Sequence, residues 1–130
     1  LKLPAPPLLL ITDRRQARRP LADIIAAALE AGWRWVSLRE KDLSDSEQVE
    51  LAKSLLPLAR QHGACLTLHG EAALAKRAGV DGVHLPAGSD VHAARTLLGP
   101  SALIGISVHQ VDEVAGLDPA ELDYVIAGPA

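Results

Sequence analysis

Arg39 and Lys41 stand two residues apart at the end of one apolar run, and Ser107 and His109 repeat that spacing at the end of another. In extended backbone, residues i and i+2 share a face, so each pair can present two polar groups to one place. A forked guanidinium beside a compact ammonium suits a phosphate or another oxyanion. An imidazole beside a hydroxyl can exchange a proton near neutral pH. Each pair also has an ordinary explanation: the cations suit a solvated rim on which Glu40 pairs locally, and a lone histidine is more often structural or exposed. His69 ends a third apolar run, but Gly70 beside it supplies no carboxylate. His84 lies inside an apolar run and reads as a core or hydrogen-bonded histidine, while His62 and His92 fall on solvated helix faces. For a hard cation the run ends offer Asp13 and, beyond a proline and glycine loop, Asp90; this magnesium signal is weak, because Asp90 serves equally as a helix cap. Cys65 starts a strand and reads as buried and inert.

These groups need elements to position them. Leu8 to Thr12 is apolar without alternation, which predicts a strand buried on both faces, as in parallel sheets. Leu21, Ile24, Ile25, Ala28 and Leu29 then fall at helical spacing behind Pro20, and Gly32 closes the segment. The unit recurs: a strand at 35–39, a helix opened by the capping-box pair Ser44 and Glu47, and a strand at 65–68. Pro57 is expected to kink or interrupt that second helix. Further strands are predicted at 82–85, 103–107 and 124–127, separated by helices at 71–78, about 91–98 and about 111–116. Six strands alternating with helices imply parallel crossovers, hence a (β/α) barrel or an open doubly wound sheet. No GxGxxG follows the first strand, which weakens the dinucleotide-binding version. In a barrel, the reactive groups named above would all gather at the C-terminal ends of the strands.

Composition narrows the classes further. The chain of 130 residues is 48% hydrophobic and carries a net charge of −3, so it is expected to form one domain over 1–130 with a genuine core. With no basic stripe and only two tryptophans and one tyrosine, a nucleic-acid partner is not expected. One cysteine excludes an internal disulfide framework and any Cys-based zinc site, and fits a reducing cytoplasm. No signal peptide or membrane-length apolar run is present in the sequence. A complete eight-stranded barrel needs about 200 residues or more. The chain is therefore expected to be an incomplete barrel domain, short at its C-terminus, and its two unpaired sheet edges would favour a homo-oligomer.

Taken together, Leu9-Leu10-Ile11-Thr12-Asp13, Val36-Ser37-Leu38-Arg39-Glu40-Lys41, Asp81-Gly82-Val83-His84-Leu85, Ile104-Gly105-Ile106-Ser107 and Asp123-Tyr124-Val125 form an ordered pattern over essentially the whole chain. It resembles the thiamin-phosphate synthase and thiazole tautomerase family. The resemblance implies an α/β fold of the (β/α)8 TIM-barrel family, with about six βα units present here. It also implies thiamin biosynthesis. Synthases of the family join a hydroxymethylpyrimidine pyrophosphate to a thiazole phosphate with magnesium, and tautomerases convert a thiazole phosphate carboxylate isomer into its aromatic form. By position, Arg39 and Lys41 resemble the cations that hold the pyrimidine pyrophosphate. The glutamine of the usual Gln-x-Arg-x-Lys motif is Ser37 here, and the synthases' Asn-Asp pair after the third strand is His69-Gly70. Of the metal carboxylates only Asp90 is left, within His84-Leu85-Pro86-Ala87-Gly88-Ser89-Asp90. These departures lean towards a tautomerase that needs no metal, with His109 as the proton-transfer residue and Arg39, Lys41, His69 and Ser107 around the phosphorylated thiazole. The alternative is a magnesium-dependent synthase using Asp90, and a second alternative is a non-catalytic thiazole- or thiamin-phosphate binding protein. In every case the partner is a small phosphorylated molecule rather than nucleic acid or membrane.

Overall fold

Alternation along the strands shows how the sheet is layered. In a computed structural model that describes residues 3–128, Val36, Leu38, Leu66, Leu68, Val83, Leu85, Ile104, Ile106 and Val108 all join one buried cluster. The residues between them, among them Trp35, Thr67, His84 and Ser107, face the other way, as period-two backbone requires. The helices supply most of the rest of that cluster through Ile25, Leu29, Val49, Ala52, Leu55, Ala59, Leu74, Ala75, Ala78, Val91 and Ala94.

The strands are β1 (Leu9–Ile11), β2 (Trp35–Leu38), β3 (Cys65–His69), β4 (Gly82–Leu85), β5 (Leu103–Val108) and β6 (Tyr124–Ala127). Between them run α1 (Leu21–Glu30), α2 (Asp45–Gln61), α3 (Ala72–Ala78), α4 (Val91–Leu98) and α5 (Val111–Ala115), with a 3-10 turn at Pro119–Glu121. All pairings are parallel, and the sheet order is β1-β2-β3-β4-β5-β6. A doubly wound sheet reverses its strand order at a switch point, and this one never does. The sheet is that of a (β/α) barrel with six of its units present. No helix among the described residues is long and apolar enough to cross a membrane.

Local sequence chemistry accounts for most element ends. The Ser44 hydroxyl accepts from Glu47 N–H while the Glu47 carboxylate accepts from Ser44 N–H, so the predicted capping box forms. Gly79 ends α3 in the left-handed conformation that glycine adopts without a Cβ clash. The helix α2 runs through Pro57 without interruption, because Pro57 and Lys53, whose carbonyl loses its donor, both lie on the exposed face where water replaces the bond. One expectation fails outright. The first strand is half-buried rather than buried on both faces, with Leu8 and Ile11 exposed, because β1 has a neighbour on one side only.

Candidate active site

The strands end around a cavity of about 480 Å³ lined by residues of β1, β3, β4, β5 and β6 and of the loops after β2, β3 and β4. Arg39 and Lys41 enter it from the loop after β2, His69 and Gly70 from the end of β3, His84 from β4 and Ser107 from β5. Four residues singled out by type and spacing, Arg39, Lys41, His69 and Ser107, therefore meet in one place. Asp45 and Glu71 line the same cavity from the starts of α2 and α3.

Arg39 and Lys41 are exposed at the rim, and neither side chain has a hydrogen-bond partner among the described residues. Local pairing by Glu40 does not occur. Glu40 turns the opposite way and is only 3% exposed. Its carboxylate accepts from the Thr12 hydroxyl at 2.6 Å, from the Arg14 backbone N–H at 3.1 Å and from Arg14 Nη1 at 2.9 Å. The Thr12 hydroxyl in turn accepts from Arg39 N–H at 3.0 Å. The guanidinium of Arg14 also grips Asp42 through two bonds, which hold the Asp42 carboxyl at about 2. The loop after β2 is thus pinned to the loop after β1 between the two cations, through Glu40, and just beyond the second, through Asp42. Pairing of Glu40 and Asp42 with Arg14 leaves Arg39 and Lys41 free for an anion.

The floor of the cavity is neutral. Burial, the neighbouring His84, and the charges of Arg39 and Lys41 push His69 down to about 3. Burial and the same two cations push His84 down to about 4. The two imidazoles stack with centroids 4.3 Å apart. His84 Nε2 lies 2.6 Å from Ser107 Oγ and its Nδ1 lies 3.0 Å from the Tyr124 hydroxyl, whereas His69 Nε2 is buried without a partner. His84 is therefore hydrogen-bonded, as expected of it, but it also lines the cavity. Tyr124, which the sequence places only in a strand and in the ordered pattern, joins the site through this bond. Beneath this row the indole N–H of Trp35 donates to Thr67 Oγ1 at 3.3 Å and the Trp35 ring meets Tyr124 edge-on at 5.0 Å.

Other candidates fall elsewhere. His109 follows the last residue of β5, so strand alternation does not carry it onto the face of Ser107; it is exposed, outside the cavity lining, and its ring lies over Gly128. Asp90 lines a separate cavity between α3 and α4, and its carboxylate accepts from Ala93 N–H as the cap of α4. Asp13 is spent on a local turn with Arg15 N–H and Gln16. Asp81 and Asp123, which belong to the ordered sequence pattern, sit at the opposite end of the sheet. They accept from Leu66 N–H and Ile104 N–H and pair with Arg60 and Arg95, so they close strand ladders rather than do chemistry.

Magnesium takes oxygen ligands in near-octahedral geometry, commonly one or two carboxylates plus substrate phosphates. The donors expected for it do not fit: Gly70 offers none, and Asp90 is turned into the helix cap. Among the described residues no group of three or more His, Cys, Asp or Glu is placed to hold a metal ion.

Comparison with known proteins follows the same lines. The family profile described as thiamine monophosphate synthase matches residues 8–130. The chain is 39% identical over 127 residues to a thiamine-phosphate synthase of Solidesulfovibrio magneticus, covering 95% of this chain and 60% of that protein. It is 36% identical over 124 residues to the thiamine-phosphate synthase of Azorhizobium caulinodans, covering 94% and 58%. A solved thiamine phosphate pyrophosphorylase from Pyrococcus furiosus superposes with a TM-score of 0.77 at 29% identity, over 92% of this chain and 58% of that one. The chain thus spans about three fifths of the length of the curated relatives it matches. These relatives carry the synthase name, so the lean towards a tautomerase drawn from the His69-Gly70 and His109 segments finds no support among them.

Proposed function

The chain belongs to the thiamine monophosphate synthase family, and from that premise we propose that it holds the pyrophosphate of a hydroxymethylpyrimidine substrate while the pyrimidine is transferred to a thiazole phosphate. In that reaction the bond between the pyrimidine's methylene carbon and the pyrophosphate oxygen breaks as the same carbon bonds to the thiazole. The pyrophosphate departs with the electron pair. Negative charge grows on its oxygens in the transition state, where fixed cations act most strongly. The observation that carries this reading is the pair Arg39 and Lys41, unpartnered at the rim of a cavity whose floor is neutral. His69 and Ser107 supply hydrogen bonds deeper in the same cavity. No step is assigned to magnesium. A single free cysteine and highly charged substrates suit the cytoplasm.

A tautomerase remains the second reading, favoured by Gly70, which leaves the end of β3 without a carboxylate. The two separate in one assay on the purified protein carrying this sequence, supplied with the pyrimidine pyrophosphate and each thiazole phosphate carboxylate isomer, with and without magnesium. Thiamin phosphate should form, with release of pyrophosphate and of the thiazole carboxylate as carbon dioxide, and Arg39→Ala and Lys41→Ala should each lower kcat/KM by about 100-fold, the order seen when one charge-stabilising donor is removed. Isomer conversion without coupling would establish the tautomerase instead. Saturable binding without turnover would establish a binding protein.

A further inference from the structure

One row of positions crosses four strands on the face opposite the helix-covered core. His69, His84, Gly105 and Tyr124 are consecutive register partners along β3, β4, β5 and β6. Gly105 interrupts the row with no side chain, and a Cβ there would overlap the Tyr124 ring. The ring therefore lies across β5 and stacks on His84 at 5.5 Å, bringing its hydroxyl to His84 Nδ1.

The protons on this chain can be counted. A neutral imidazole has one donor and one acceptor nitrogen. Burial and the charges of Lys41 and Arg39 keep His84 neutral, and burial keeps the Tyr124 phenol protonated. Were the His84 proton on Nδ1, the phenol would have to accept it, and its own hydrogen would have no acceptor among the described residues; for a half-buried donor the arrangement that makes both bonds is the favoured one. The phenol accordingly donates to Nδ1, Nε2–H donates to Ser107 Oγ, and the Ser107 hydrogen is left for the cavity that Ser107 lines.

We propose that Tyr124 and His84 are positioning residues that hold Ser107 as a hydrogen-bond donor to an anionic phosphate oxygen in the cavity shared with Arg39 and Lys41. An unconstrained serine can donate or accept. The relay removes that choice, so the donor is already oriented when the anion arrives. The nature of the anion rests on the coupling reaction above; the direction of the relay does not.

Two measurements on the chain test this. Nitrogen-15 NMR of histidine-labelled protein at pH 7.5 should show His84 as the Nε2–H tautomer, and Tyr124→Phe should shift it towards Nδ1–H. Calorimetric titration with inorganic pyrophosphate should give about ten-fold weaker binding for Tyr124→Phe and at least that for Ser107→Ala. In the Ser107→Ala background, Tyr124→Phe should then cost less than about two-fold, because the two act through one bond. An Nδ1–H tautomer in the unmodified chain, or single effects that multiply, would overturn the relay and leave the coupling reading standing. An Nε2–H tautomer with coupled pyrophosphate effects but no coupling product would uphold the relay and overturn only the coupling reading. Failure of the unmodified chain to bind pyrophosphate would overturn both.

Discussion

Replacing Glu40 by glutamine separates two explanations for the aim of Arg39 and Lys41, the course of β2 itself or the buried clamp between them. Every partner of the Glu40 carboxylate is a donor: Thr12 Oγ1, Arg14 N–H and Arg14 Nη1. Glutamine has the same shape, but whichever way its amide turns, the NH2 meets a donor at one of the two poles. Thr12 can accept from that NH2 only by turning its own hydrogen away from residue 40, which leaves a buried hydroxyl hydrogen without the acceptor it has now. Loss of charge-assisted bonding costs about 1.5–3 kcal/mol, and the opposed donors add about 1 kcal/mol. The variant should therefore unfold about 3 kcal/mol more easily. Trp33 and Trp35 stand at the start of β2, so tryptophan fluorescence reports urea unfolding of the strand concerned. At an m-value of about 1.5 kcal/mol/M the midpoint should fall by about 2 M. Pyrophosphate affinity should drop about ten-fold, since the loop that carries both cations loses its anchor while the cations themselves remain. Thr12→Val, which removes the bonds to both Glu40 and Arg39 N–H, should lower the midpoint in the same direction. A midpoint within about 0.3 M of the parent and an unchanged affinity would refute the clamp.

Gly105→Ala should cost about 2–3 kcal/mol, as overpacking does, because its methyl needs the space of the Tyr124 ring. It should also weaken pyrophosphate binding as Tyr124→Phe does; unaltered stability would mean that the ring moves freely aside. Acid should destabilise the fold through His69 and His84. Unfolded, each takes a proton near pH 6.5; folded, they resist until about 3 and about 4. Between those limits the unfolded state binds more protons, so stability is complete above pH 6.5 and falls as pH drops towards 4. The slope is at most about 1.4 kcal/mol per pH unit for each histidine, reduced by the solvent that reaches the cavity. Urea midpoints from pH 7.5 to 5 check this, with His69→Asn giving the shallower dependence; a flat profile would refute the neutral pair.

Elements whose signal is local are legible in the sequence itself. The Ser44 and Glu47 cap needs only its own turn, and the alternation of Val36 with Leu38 or Ile104 with Ile106 needs only its own strand. Family membership and the barrel are legible for a related reason, since they rest on motifs in order along the chain. The site is legible only as far as strand ends can be read one at a time, which finds Arg39, Lys41, His69 and Ser107. Such reading fails where the answer depends on register between strands. Glu40 reads as a local partner of its two flanking cations, yet it is bound to Thr12 and Arg14, on another strand's loop. His109 reads as sharing a face with Ser107, but β5 stops at Val108 and the alternation stops with it. Within Asp123-Tyr124-Val125 nothing local marks Tyr124 as a site residue. Its signal is Gly105, because a glycine inside an otherwise bulky strand marks a place where something else approaches closely. Only the pairing of Gly105 with Tyr124 says what approaches. The half-buried phenol of Tyr124 finds its partner in His84, one strand beyond the glycine.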